Sequence, residues 1–230
     1  MEITTVLNAI FTVTPLLPYI PQYRLMEETK NSGGFSPWVC LIIMTGSILR
    51  VAFWIGKRFD VFLLIQSLLM ILGQLVMLEL SVRLRPKQLD VRTRTLSNGH
   101  IDDFWKWDDF GSYLVFTGAF LTFWVVTGTA AAASPLLVEG IGALALSIEA
   151  CLGVPQFLQN RATGNVIGVS RILIGSWFAG DAFKTVYFLY TDAPTQFVAC
   201  GLAQLVVDVA ILVQFYNASQ RRKTGEKRQL

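Results

Sequence analysis

Apolar residues run along this chain in blocks of roughly 20, parted by short polar stretches, from one end to the other. A helix of that length crosses the ~30 Å hydrocarbon core of a bilayer. Seven such blocks are present: Ile3–Met26, Phe35–Gly56, Val61–Val82, Phe110–Thr129, Leu136–Gln159, Ile167–Tyr190 and Gln196–Tyr216. The pattern predicts an all-α integral membrane protein with seven transmembrane helices. The first block has no basic residues ahead of it and is interrupted by Pro15, Pro18 and Pro21, so it reads as a retained span and not as a cleaved leader.

The blocks repeat. Pro21-Gln22 and Pro155-Gln156 stand 134 positions apart, and the same offset, without a gap, pairs Tyr23 with Phe157, Asn31 with Asn165, Gly34 with Gly168, Ser36 with Ser170, Gly46 with Gly180, Arg50 with Lys184 and Gln74 with Asp208. Two three-helix units are expected, 1–82 and 135–216, with a loop and linker helix at 83–134 between them and a basic tail at 217–230. Each unit has an odd number of spans, so the single linker helix restores the sense of crossing. The arrangement is 3+1+3 with parallel repeats, which are related by a pseudo-two-fold axis along the membrane normal.

Composition agrees with a lipid environment: 53% hydrophobic, 15% charged, mean hydropathy +0.51. Charge adds an orientation. Fifteen of the nineteen Lys and Arg fall after spans 1, 3, 5 and 7 or, as Arg24 and Arg171 do, in the span ends beside those loops, and only Lys57 and Arg58 fall in the loops on the other side, which places the C-terminus in the cytosol and the N-terminus in a lumen or outside. The sequon Asn217-Ala218-Ser219 then lies on the cytosolic side, out of reach of glycosylation. The basic tail serves as a topology anchor and also suits anionic lipid headgroups. No nucleic-acid partner is expected.

Cys40, Cys151 and Cys200 lie in apolar spans without a CxxC spacing and read as packing residues. His100, beside Asp102 and Asp103, is a polar loop residue. No metal site, no cofactor and no Gly-rich phosphate loop is legible, so the chain is expected to act without ATP and not as an enzyme.

The candidate chemistry lies inside the spans. Arg50, Asp181 and Lys184 sit deep in apolar segments, where an ionised group costs at least ~2.5 kcal/mol unless paired or hydrated. Asp181 and Lys184 share a helix face and can pair, whereas Arg50 needs a distant acid among Glu79, Glu149 and Asp208. Glu149 and Gln156, two turns apart, are expected on one polar face. Gln66, Gln74, Gln204 and Asp208 add further polar groups, for which an interhelical network and a transport path are both adequate explanations. Pro21 and Pro155 are expected to kink their helices, free carbonyls and act as hinges for alternating exposure, with Gln22 and Gln156 either capping those carbonyls or holding a neighbouring helix. Trp105 and Trp107 fit headgroup-level anchors, and Ser176 with Gly180 fits close helix contact.

The stretches Pro18-Tyr19-Ile20-Pro21-Gln22-Tyr23-Arg24 and Gly153-Val154-Pro155-Gln156 resemble the paired motifs of the PQ-loop family. Ile48-Leu49-Arg50, Glu149-Ala150, Gly180-Asp181-Ala182-Phe183-Lys184-Thr185 and Gly201-Leu202 resemble one branch of it, the solute carrier family 66 type with its fungal relatives. That branch implies residence in Golgi and endosomal membranes, phospholipids as partners, and an ATP-independent scramblase activity that opposes flippases. Asp208 with Gln214 is similar to the last helix of cystinosin, which implies instead a proton-coupled exporter of a small solute. The distant KDEL receptors imply a third reading, a non-transporting receptor or adaptor.

Overall fold

A computed structural model describes residues 12–59, 61–85, 93–98, 103–164, 166, 168–190 and 195–226. The start of the first block, His100, Asp102 and the last residues of the basic tail lie outside the described residues. Among the described residues all regular structure is helical. A single 3-10 turn, Thr14–Leu16, precedes α1 (Tyr19–Thr29), followed by α2 (Pro37–Lys57), α3 (Val61–Arg83), α4 (Phe110–Ala131), α5 (Pro135–Glu149), α6 (Gly153–Thr163), α7 (Arg171–Tyr190) and α8 (Thr195–Glu226).

The sequence offset reappears in the helices. α1, α2 and α3 begin at Tyr19, Pro37 and Val61, and α6, α7 and α8 begin at Gly153, Arg171 and Thr195, 134 positions later in each case. Even the helix ends correspond, since Lys30 and Gly164, also 134 apart, close α1 and α6 in the left-handed conformation. Proline at the first position starts α2 and α5, where its missing N–H has no helical partner to lose. The Asp109 carboxylate caps α4, accepting from the Ser112 N–H at 2.7 Å.

By length and composition, five stretches can cross a membrane among the described residues: α2, α3, α4, α5 together with α6, and Val198–Gln220 of α8. α7, with Asp181 and Lys184 in its middle, is less apolar. Outward faces are apolar as well, for example Val115, Phe123 and Val126 of α4, which stand exposed. Such faces suit the hydrocarbon of a bilayer.

The block expected as one helix from Leu136 to Gln159 is broken between α5 and α6. Pro155 has no N–H to give the Cys151 carbonyl, and that oxygen accepts instead from Val154 N at 3.1 Å in a tighter turn. The same happens ahead of α1, where the Leu17 carbonyl, abandoned by Pro21, accepts from Ile20 N at 3.1 Å. The freed carbonyls are therefore satisfied locally, and the glutamines are left for other work.

Trp105 and Trp107 are not headgroup anchors. Both are buried, in a cluster with Phe104, Tyr113 and Phe116. Trp105 Nε1 donates to the Pro37 carbonyl at 2.9 Å, and the Tyr113 hydroxyl donates to the carbonyls of Trp105 and Trp107. A buried indole needs such a partner for its N–H. Arg85 and Arg94 brace the same loop through Asp108, each 3.0 Å from Oδ1. Burial alone would raise the Asp108 pKa, but hydrogen bonds from the Arg94 side chain and backbone, with the charges of Arg94 and Arg85, hold it below the usual carboxylate value. The hydrogen bond to Asp108 in turn raises Arg94.

Candidate functional site: a charged cavity and two amide latches

A cavity of about 420 Å³ opens among the 3-10 turn, α1, α2, α3, α5, α7 and α8. Its charged lining is Arg50 from α2, Glu149 from the end of α5, and Asp181 and Lys184 from α7. The four form two ion pairs. Arg50 pairs with Glu149 across the two halves of the chain, and Lys184 Nζ stands 2.7 Å from Asp181 Oδ1 one turn earlier on its own helix. Arg50 and Lys184 occupy matching positions of the 134 offset, yet they find their acids differently because Ser47, not an acid, matches Asp181.

Amides join the pairs into a chain. Lys184 Nζ also donates to Gln204 Oε1 at 2.7 Å, Gln204 Nε2 donates to the Glu149 carbonyl at 3.3 Å, and Arg50 Nη1 reaches Gln66 Oε1 at 3.5 Å. Ions in so apolar a setting persist only when paired and hydrogen-bonded, and here they are both. Gly46, one turn before Arg50, leaves room for the Glu149 side chain: a Cβ on it would stand 2.6 Å from Glu149 Cγ. A second cavity, about 920 Å³, shares Arg50 and Glu149 in its wall and extends along α2 to Lys57 and Glu139, themselves an ion pair.

Gln22 and Gln156 lie elsewhere, fully buried. Gln22 Nε2 donates to the Gly168 carbonyl at 2.7 Å while its Oε1 accepts from Ser170 N at 2.6 Å. Gln156 Nε2 donates to the Gly34 carbonyl at 2.9 Å while its Oε1 accepts from Ser36 N at 3.0 Å. Each amide thus closes on the turn before the other half's middle helix, with partners again 134 apart. Each uses one donor and the acceptor for backbone groups that would otherwise be orphaned. Arg50 is thirteen residues into α2 from Pro37, so the cavity lies about 20 Å along the helix from this end at 1.5 Å per residue.

Of the residues singled out in the sequence, Arg50, Glu149, Asp181 and Lys184 meet at the cavity, Gln22 and Gln156 form the latches, and Pro21 and Pro155 sit in the first turns of α1 and α6. Glu149 and Gln156 do not share a polar face, because the break between α5 and α6 separates them. Glu79 pairs with Arg83 at 3.2 Å and takes no part. Asp208 is buried behind the cavity wall, where it faces Asp181 and leaves Oδ2 without a partner. Ser176 and Gly180 line the cavity, and nothing stands within 4 Å of a Cβ placed on Gly180, so they do not mark a close helix contact. Gln66 and Gln204 belong to the site and are indistinguishable in sequence from Gln74, which is buried away from the cavity with neither amide atom bonded.

Among the described residues no group of three or more His, Cys, Asp or Glu is placed to hold a metal ion. The family profile described as PQ loop repeat matches residues 3–63 and 137–197, two segments that are also 134 apart. Among the curated proteins that match, scramblase ANY1 of Saccharomyces cerevisiae is 25% identical over 280 aligned positions, which cover 90% of this chain and 69% of the relative. No solved structure matches.

Proposed function

The chain belongs to the PQ-loop repeat family, and from that membership we propose that it is an ATP-independent phospholipid scramblase with seven spans in a parallel 3+1+3 arrangement. The observation that carries this reading is the set of two ion pairs facing one cavity inside helices whose outer faces are apolar. A headgroup crossing a bilayer needs polar partners throughout its passage, because bare hydrocarbon offers none. The name of the yeast relative supports the same activity.

In this reading the Lys and Arg bias puts the latch end, with the loop containing Trp105, in the cytosol, and Lys57 with Glu139 at the lumenal mouth. Headgroups enter past Lys57 and Glu139, meet Arg50 and Glu149, and leave when the Gln22 and Gln156 latches release. The helix breaks ahead of Pro21 and Pro155 allow α1 and α6 to swing while the remaining spans stay packed. Acyl tails remain in lipid. Residence in Golgi and endosomal membranes, opposed to flippases, fits a passive exchanger, as does a basic tail facing anionic headgroups.

One observation favours a second reading. Asp208 is a buried carboxyl beside Asp181 with an unused oxygen, which suits a proton-coupled exporter of a small solute. Leaflet exchange of a fluorescent phospholipid in sealed liposomes, with neither ATP nor an ion gradient, distinguishes the two. Exchange supports the scramblase, while solute uptake that needs a proton gradient and is lost in Asp208→Asn supports the exporter.

A further inference from the structure

We infer that the cavity selects a zwitterionic group, one that carries an anionic and a cationic centre together; the inference rests on the scramblase reading and names the headgroup class it would move. The charges of the cavity wall are balanced pairwise. Arg50 is held by Glu149 and Lys184 by Asp181, and on the adjoining cavity Lys57 is held by Glu139. The third pair continues the pattern two turns along α2 from Arg50, so the pairs form successive stations along one route. Asp208 is not part of the cavity lining and faces Asp181 from behind it.

Pairwise balance decides what can enter. A singly charged anion that takes Arg50 leaves Glu149 without its counter-charge in a wall built of apolar helices, and a singly charged cation that takes Glu149 strands Arg50. A zwitterion exchanges partner for partner: its anionic centre takes the guanidinium, its cationic centre takes the carboxylate, and the number of ion pairs is unchanged. The residue types fit this role. The planar guanidinium of Arg50 presents paired donors to a phosphate or carboxylate, and Gln66 steadies it from α3. Glu149 arrives from the other half of the chain through the gap left by Gly46, so its side chain can part from Arg50 without disturbing a shared helix.

Two sources carry this chemistry, a phospholipid headgroup and a free zwitterionic solute. The test uses purified full-length protein in liposomes and compares acyl-labelled phosphatidylcholine with acyl-labelled phosphatidylglycerol, whose headgroup is anionic only. Uptake of glycerophosphocholine, the same headgroup without its chains, is measured in parallel. Wild-type protein should exchange phosphatidylcholine about tenfold faster than phosphatidylglycerol, a difference worth about 1.4 kcal/mol. Glu149→Gln, which leaves Arg50 unbalanced, should move that ratio toward phosphatidylglycerol. Equal wild-type rates for the two lipids overturn the inference while leaving the scramblase intact, and need no variant to fold. Glycerophosphocholine uptake with no lipid exchange upholds the zwitterion and removes the scramblase, whereas failure of both removes both.

Discussion

Gln22 and Gln156 perform one task in opposite directions, each spending its amide on two backbone groups, residues 168 and 170 in one case and 34 and 36 in the other, just ahead of the opposite half's middle helix. Because the partners are themselves related by the 134 offset, the contact is a reciprocal clasp between the two halves and not two unrelated pairs of hydrogen bonds.

Gln22→Ala and Gln156→Ala should therefore destabilise the fold by similar amounts. Each leaves a buried backbone N–H without a partner, Ser170 N or Ser36 N, at about 1–3 kcal/mol. Thermal unfolding in detergent measures it. An unchanged midpoint for either variant would mean that its turn is held by something other than the amide.

Close packing makes a second prediction with an internal control. Gly128 of α4 lies against α2, where a Cβ would stand 2.7 Å from the Ala52 carbonyl oxygen, while a Cβ on Gly118 of the same helix meets nothing within 4 Å. Gly128→Ala should lower the unfolding midpoint, because backbone cannot yield as a side chain can. Gly118→Ala should leave it unchanged or raise it slightly, since alanine is the better helix former.

The repeat was legible in sequence because it is carried by identities that no hydrophobic pattern requires, and the helix starts at 19, 37, 61, 153, 171 and 195 follow it position for position. Arg50, Asp181 and Lys184 stood out because charge is costly in an apolar span. The partner of Arg50 could only be narrowed to three acids, since the choice of Glu149 depends on how α2 and α5 approach over Gly46, a tertiary fact. The sequence leaves Gln22 and Gln156 two roles, capping a local carbonyl or holding a neighbour; the Leu17 and Cys151 carbonyls find backbone donors, which leaves the second. The burial of Trp105 and Trp107 is not legible locally, because aromatics beside acidic residues match an interfacial pattern and the Pro37 carbonyl that receives the Trp105 indole N–H is 68 positions away.

The lowered pKa of Asp108 gives the loop that buries those indoles a pH dependence whose sign follows from that shift. The Asp108 pKa is lowered in the fold, so its contribution is fully present above the unfolded carboxylate value of about 3.9 and is lost as pH falls through the lower folded value. The fluorescence of Trp105 and Trp107, read in a protein whose other four tryptophans are replaced by phenylalanine, should stay constant from pH 7 to about pH 4 and change only below it. Asp108→Asn should remove this acid step and show the altered signal at neutral pH. A transition centred near pH 6 with Asp108 in place would contradict the assignment.

Orientation is tested separately from activity. A cysteine placed at Ser97, in a protein cleared of its native thiols, should be protected from an impermeant label in sealed vesicles whose lumenal face is outward, whereas one at Lys57 should react. The reverse result would invert the topology and move the latches to the lumenal end.

The most direct test of the central claim is leaflet exchange by the purified protein. In liposomes containing acyl-labelled phosphatidylcholine, with no ATP and no ion gradient, an impermeant reductant added outside destroys only the outer-leaflet label when the bilayer is intact, about half of the total. Protein that scrambles lipid should carry the loss well beyond that limit, in proportion to the vesicles that contain a folded copy. Loss that stops at about half, in vesicles shown to hold folded protein, would contradict the account.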